Sequence, residues 1–568
     1  MTGRLGVLRR GLQQGVEAVI GLGGPVSGPR NVAVLARRGA VRPVRPDRFA
    51  RAALALARYG SSPAAVVAGG AALYPTRLAT VASDTGSSRT WRRLDARAAA
   101  FAAGLAAVGV GPGDVVAILA RNSPAYVEAV AALGRIGADV VHVNTGFAVP
   151  QLAEVLRRQG VTAILHDAEF GDAVAVALPR RPAVVLDAPL PTVPTPLRGT
   201  ASLEQLVAAG APLVPPSSRT GRQVILTSGT TGVPKGAART ETSGRDVAAF
   251  LERVPLRAGR PIAIAAPLFH AWGFAGLSMA LGLGSPVVLA RRFEAEALLA
   301  AIEAHQVDAL VAVPVMLQRI LDLPPAVRAR YDTRSLRVVA LSGSSLPGRL
   351  ATRFADVFGD VVYNLYGSTE TAFATIATPA DLRVDPATAG RPVRGTRVEV
   401  LDPEGRRLPR GRSGRIFVGN SMVFSGYTDG RDKERIRGLV DTGDLGWFDA
   451  AGRLRVEGRS DDMIVAGGEN VSPGEVEDVL SHHPDVEEVA VVGVPDSAFG
   501  QALVAHVVLR AGATTTPDDL RAHVRNRLAR FKVPREVVLL DELPRTATGK
   551  VLRRELRTGP RVASAPPA

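Results

Sequence analysis

Residues 226–236, LTSGTTGVPKG, hold three glycines, four hydroxyl side chains and one lysine in eleven positions, directly after the apolar pair Val224-Ile225. The apolar run reads as a buried strand and the Gly/Thr segment as the loop leaving it. Glycines let backbone N–H groups turn toward an anion, and Ser and Thr add hydroxyl donors. Lys235 adds a point charge suited to phosphate. The chemistry is phosphate handling, but not that of the common nucleotide P-loop. Pro234 stands where that pattern needs Gly before Lys, and no hydroxyl residue follows Lys235.

Elements must hold such a loop at a strand end. From about residue 90 to 440, helical patterns alternate with short apolar runs. Residues 91–108 and 124–136 read as helices; residues 115–119, 139–143, 224–226, 262–265, 287–289, 310–313 and 338–341 read as strands. That rhythm predicts a layered α/β body with largely parallel sheets, in which ligands bind where loops leave the carboxyl ends of strands. Beyond Gly390 short strands between Gly/Pro turns suggest a small β-rich subdomain. A smaller α/β unit follows, with helices at 473–481 and 517–528 and strands at 488–494 and 503–509. Proline-rich patches at 189–196 and 212–216 mark surface connections.

Composition narrows the chemistry. At 568 residues the chain has room for two or more domains, and 46% hydrophobic with 21% charged residues describe a globular protein with ample core. There is no cysteine, which excludes disulfides, thiolate nucleophiles and zinc–thiolate sites, and the eight histidines show no metal spacing. The longest uncharged segment, residues 261–290, passes a crude length test for a membrane span. Its prolines and glycines fit a strand, loop, helix and strand in a buried core better.

The net charge is +16, and residues 1–60 hold 11 Arg against Glu17 and Asp47. Leu5, Leu8, Leu12, Val16 and Val19 recur there at helical spacing. Two readings stand: a basic amphipathic helix on an anionic membrane surface, or a helix docked on the protein body. Nucleic acid fits less well, because the region has few aromatics to stack bases. Arg9, Arg10, Gln13 and Gln14 interrupt any secretory h-region, which points to a cytoplasmic protein, with the inner membrane face as its alternative contact. Only four residues are Lys, at 235, 433, 532 and 550, against 65 Arg, so a lysine here marks a position where a compact ammonium suits better than a planar fork.

Further motifs fall in order: residues 363–370 (YNLYGSTE), 441–446 (DTGDLG), 458–477 (GRSDDMIVAGGENVSPGEVE) and 544–556 (PRTATGKVLRREL). In this order and spacing the set resembles the adenylate-forming superfamily of acyl-CoA synthetases, amino-acid adenylation domains and firefly luciferase, over about residues 90–557. The resemblance implies an enzyme in which a carboxylate attacks the α-phosphate of ATP and a thiol then displaces AMP from the acyl-adenylate.

By motif match, Thr227, Ser228, Gly229, Thr230, Thr231, Gly232 and Lys235 would cover the β- and γ-phosphates. Glu370, with Thr230, would hold Mg2+. Tyr366, with Gly367 and Thr369, would flank adenine opposite Gly343, Ser344 and Ser345. Asp444 and Arg459 would hold the ribose, and Lys550 would bind carboxylate and α-phosphate oxygens in the transition state. Asp461 matches the hinge on which the small C-terminal domain rotates between half-reactions, and Gly467 and Gly468 the thiol tunnel.

His270, Ala271, Trp272 and Gly273 open the segment that lines the acyl pocket in relatives. No acidic residue occurs from 261 to 292 to pair a substrate ammonium, and Ala271, Gly273, Ala275, Gly276 and Leu277 suit an aliphatic chain. The expected substrate is a medium- or long-chain fatty acid, with coenzyme A as acceptor. The alternatives are a carrier-protein thiol as acceptor, an aryl or other non-fatty carboxylate, and a non-catalytic scaffold on the same fold. The expected divisions are a basic extension (1–75), a large domain (76–458), a mobile α+β domain (459–560) and a tail (561–568); a homodimer is compatible with all of these.

Overall fold

Two parallel sheets with helices between them carry the large domain. The computed structural model describes residues 28–558, apart from residues 180, 188–199, 213, 228–234, 239–242, 425, 428–429, 431, 461, 463, 467–468, 497–499, 529 and 547–548. One sheet has nine strands, in spatial order Arg391–Pro392, Ala372–Ala377, Val362–Ser368, Val338–Leu341, Ala309–Ala312, Ile262–Ile264, Val287–Leu289, Leu78–Ala82 and Ser88–Thr90. Its middle pairs are parallel and its edges antiparallel. The other has seven, in order Thr200–Ser202, Ala183–Val185, Ala163–His166, Val115–Leu119, Asp139–His142, Gln223–Thr227 and Lys235–Ala238, parallel except for the last hairpin.

Such strands are buried on both faces, so they read as continuous apolar runs. Helices Trp91–Ala107 and Pro124–Ile136 are buried between the layers; each is capped by a hydroxyl, from Thr90 and Ser123. Trp91 and Tyr126 are fully buried there. The segment around residues 261–290 is indeed a strand (Ile262–Ile264), a loop, a helix (Ala271–Gly282) and a strand (Val287–Leu289). Among the described residues no helix is long and apolar enough to cross a membrane. A five-stranded antiparallel subdomain follows, built on Arg397–Leu401, Gly414–Gly419 and Leu439–Phe448, and then a five-stranded sheet with helices Pro473–Ser481 and Pro517–Arg525 forms the small C-terminal domain.

Residues 1–27, with the leucine pattern noted above, and residues 559–568 lie outside the described residues. Behind the former, helices Pro29–Arg37, Pro46–Tyr59 and Pro63–Leu73 pack on the large domain. Leu35 is fully buried. Arg38 Nε donates to Leu251 O at 3.0 Å, and Arg394 Nη2 to Asn31 Oδ1 at 2.7 Å. Much of the arginine excess of this stretch therefore sits on helices docked against the body.

A buried polar cluster joins helix Pro124–Ile136 to strands Asp139–His142 and Gln223–Thr227. His142 Nδ1 is 2.6 Å from the Tyr126 hydroxyl, and its Nε2 is 2.9 Å from Gln223 Oε1. Burial pushes the imidazole down to about 4 and the Tyr126 phenol well above its ordinary value, so the phenol donates and the ring is neutral. A histidine whose pKa is depressed on folding contributes stability above its unfolded pKa of about 6.5, lost as pH falls through the folded one. That contribution is about 3 kcal/mol, reckoned at about 1.4 kcal/mol per pH unit. The wild type should lose it in urea titrations between pH 6.5 and 4. His142→Gln should show a flatter slope over the same window; parallel slopes would show that His142 does not titrate on unfolding.

Candidate active site

The site forms where three antiparallel or loop segments meet the carboxyl ends of the parallel strands. Strand Val362–Ser368 brings in Tyr366, whose phenol donates to Asp444 Oδ2 at 2.6 Å. Asp444 lies on strand Leu439–Phe448 and is the register partner of Arg459 on Leu454–Arg459. Arg459 Nη1 stands 3.5 Å from Asp444 Oδ1 and 3.2 Å from Thr442 O. Gly443, inside strand Leu439–Phe448 at φ +77°, makes room for this; a Cβ there would lie 2.9 Å from the Arg459 guanidinium.

Burial raises the pKa of Asp444, opposed by the Tyr366 hydrogen bond and by Arg459, Lys433 and Lys550. Burial and Asp444 together push Tyr366 well above its ordinary value. The carboxylate retains lone pairs for two further hydroxyl donors.

Glu370 is 9% exposed. Burial would raise its pKa, but hydrogen bonds from Tyr427 and Ser368 and the Lys433 charge outweigh this and hold it below the ordinary carboxylate value. Tyr427 OH donates to Oε1 at 2.7 Å. The hairpin carrying Glu370 and Thr369 closes through Gly367, where a Cβ would sit 1.9 Å from Ala372 O. Gly343, at φ +93°, opens the loop with Ser344 and Ser345 beyond strand Val338–Leu341.

The small domain supplies Lys550. Its loop reaches the large domain because Gly549, at φ +78°, lies against Val315; a Cβ there would fall 2.4 Å from Val315 Cγ1. Lys550 keeps an exposed side chain, and its ammonium is nonetheless partly desolvated by the protein packed around it. That removal from bulk water comes first, and Arg459 second, in pulling its pKa down; Asp444 and Glu370 pull the other way. Lys550 also acts on His270, which burial first and this ammonium second push down to about 3. His270 is thus neutral, and its buried Nε2 has no hydrogen-bond partner. The Trp272 indole is fixed by Ala312 O at 2.9 Å.

Two of the small residues after His270 that suit an aliphatic chain are also required by packing. A Cβ on Gly273 would lie 2.1 Å from Pro267 O, and one on Gly276 2.9 Å from Val311 Cγ1. Both glycines let helix Ala271–Gly282 approach its neighbours, and Leu277 is buried. Ala271 and Ala275 are half-buried.

Thr227 and Lys235 face each other as the last and first residues of paired strands. The loop between them, with Ser228, Gly229, Thr230, Thr231 and Gly232, lies outside the described residues, as do Asp461, Gly467 and Gly468. Sequence reasoning missed Tyr427 and Lys433. Lys433 Nζ donates to Thr442 O at 3.0 Å beneath Asp444. The scarcity of lysine could have found it, since it is one of only four. Among the described residues no group of three or more His, Asp or Glu could hold a metal by itself.

Parallel sheets feeding this convergence, and a second domain delivering a lysine to it, define the adenylate-forming class. The chain matches the AMP-binding enzyme family over residues 68–428 and the AMP-binding enzyme C-terminal domain over residues 475–550. It belongs to that family and is an AMP-forming acid–thiol ligase. It is 35% identical over 494 residues to a feruloyl-CoA synthase of Amycolatopsis sp, covering 84% of this chain and 95% of the relative. To an indoleacetate–CoA ligase of Aromatoleum aromaticum it is 34% identical, covering 80% and 90%. The structure of the amide bond synthetase McbA from Marinactinospora thermotolerans superposes with a TM-score of 0.76 at 29% identity, covering 87% and 99%.

Proposed function

We propose that this enzyme activates an aromatic carboxylic acid with ATP and transfers the acyl group to coenzyme A. The observation that carries the activation chemistry is the position of Lys550, whose charge acts on Asp444, Glu370 and His270 alike. Two considerations favour an aromatic acid over the fatty acid expected from sequence. The acids in the two relatives' names are aromatic. The acyl segment offers a fixed indole, while its glycines are taken up in packing. Planar side chains stack on planar substrates.

In the first step a carboxylate oxygen bonds to the α-phosphorus and the bond to the pyrophosphate oxygen breaks. Both reactants are anions. Lys550 neutralises charge on the carboxylate and the α-phosphoryl oxygens, Asp444 and Arg459 orient the ribose, and Tyr366 walls the adenine. Neutral His270 keeps a buried nitrogen without a hydrogen-bond partner, able to donate or accept without adding charge. Mg2+ would be held by Glu370 together with ATP's own phosphates. One ionised carboxylate suits that shared coordination, in which the cation supplies charge neutralisation. In the second step the CoA sulfur bonds to the acyl carbon, AMP leaves with the bonding pair, and the thiol proton passes to solvent.

ATP–pyrophosphate exchange tests the substrate. Ferulate, indoleacetate and benzoate should stimulate exchange at least tenfold more than octanoate or palmitate. The opposite order would return the fatty acid to first place. Thioester yield with free CoA against a phosphopantetheinylated carrier protein decides the acceptor.

A further inference from the structure

Lys550 reaches the site only if the small domain is held in place, and the contact that holds it includes a side chain far from the chemistry. Arg349 is the second residue of helix Gly348–Phe358 in the large domain. Its Nη1 donates to Ser481 O at 2.8 Å and His483 O at 3.1 Å. These carbonyls lie at the end of helix Pro473–Ser481 in the small domain. The last carbonyls of a helix lack partners within it and carry the negative end of its dipole, so a guanidinium there acts as a cap. The cap here comes from the other domain.

The contact sits among charges of both signs. Burial first, then the charges of Arg510 and Arg353, lower the pKa of Arg349. Arg353 is one turn along the same helix and Arg510 belongs to the small domain. Like charges therefore face each other across the boundary. Asp322 on the large side and Glu487 and Glu488 on the small side add charges of the other sign, and Asp322 and Glu487 also repel each other. Attraction and repulsion thus both act across the boundary, and the bonds of Arg349 add a directional contact to it.

We propose that Arg349 is a positioning residue that caps the small-domain helix Pro473–Ser481 and so keeps Lys550 inserted for the adenylation step. The inference rests on the role given above to Lys550. Arg349 touches no reacting atom, so its loss depletes one pose without altering the site.

Arg349→Ala should lower acid-dependent ATP–pyrophosphate exchange about tenfold to a hundredfold in kcat, as expected for losing charge-assisted hydrogen bonds. KM for acid and ATP should stay within about twofold, because the binding groups are untouched. Thioester formation from supplied acyl-adenylate and CoA should keep its wild-type rate. Arg349→Lys, which restores one charged donor, should recover part of the exchange. The absence of native cysteine permits a direct readout: Val357→Cys and Leu539→Cys, on the exposed surfaces of the two domains, carry spin labels for a distance distribution. That distribution should broaden in Arg349→Ala. Unchanged exchange, or equal loss in both half-reactions with an unchanged distribution, would overturn the proposal. Should Lys550→Ala leave exchange intact, the reading of Lys550 falls, while the distance distribution still judges the latch.

Discussion

Lys550→Ala should lower ATP–pyrophosphate exchange about a hundredfold to a thousandfold, the usual loss when one preorganised donor to a developing anion is removed. Thioester formation from supplied acyl-adenylate should survive largely intact, since the α-phosphoryl transfer is then already complete. The local geometry supports so selective an effect. Lys550 is held by its own hairpin, with its backbone N–H donating to Thr546 Oγ1 at 3.1 Å and Thr546 N–H donating back to Lys550 O at 2.8 Å. Truncating the exposed side chain leaves those bonds in place. Equal losses in both half-reactions would show that Lys550 serves the fold of the loop and not the first transition state.

The largest effect on stability is expected at Asn122→Ala. Asn122 is 6% exposed, and its amide ties the chain that carries His270. Nδ2 donates to Ile264 O at 3.1 Å and Ala266 O at 3.0 Å, and Oδ1 accepts from Leu268 N–H at 2.8 Å. Alanine would leave two carbonyls and one N–H buried without these partners. At roughly 1–3 kcal/mol for each unsatisfied group, relieved in part by relaxation, the loss should be about 3–5 kcal/mol in urea unfolding. KM for the acid should rise more than KM for ATP, because Gly273 packs directly on Pro267 O and Ala266 O. Asn122→Asp should be as harmful, since it sets an acceptor against two acceptors. A change below about 1 kcal/mol in Asn122→Ala would mean that water or a backbone shift replaces the clamp.

The parallel strands were legible because strands buried on both faces are short apolar runs between turn residues. Val115–Leu119, Val287–Leu289 and Val338–Leu341 lie where they were expected, as do helices Pro124–Ile136 and Pro473–Ser481. Helix Pro63–Leu73 was not, since it is buried over most of its surface and has no polar stripe to set a period. Tyr366, Asp444, Arg459 and Lys550 were legible through motif order, and the fold brings them together from three strands and a loop. Tyr427 and Asn122 were not, because a buried hydrogen bond leaves no local pattern in sequence. Gly273 and Gly276 are ambiguous in sequence for a different reason. A small residue reads the same whether it opens space for a ligand or admits a neighbouring backbone.

The family match begins at residue 68, inside helix Pro63–Leu73. What is shared among relatives and what must fold together are therefore different lengths of chain. A chain trimmed to the shared part would cut that helix and remove Ala64 and Val67, both buried. It would also strip Arg42, whose Nη2 donates to Ala258 O at 2.7 Å. Homology draws its border through a wall that packing treats as continuous, and any fusion partner or affinity handle at this end should leave the chain ahead of Pro29.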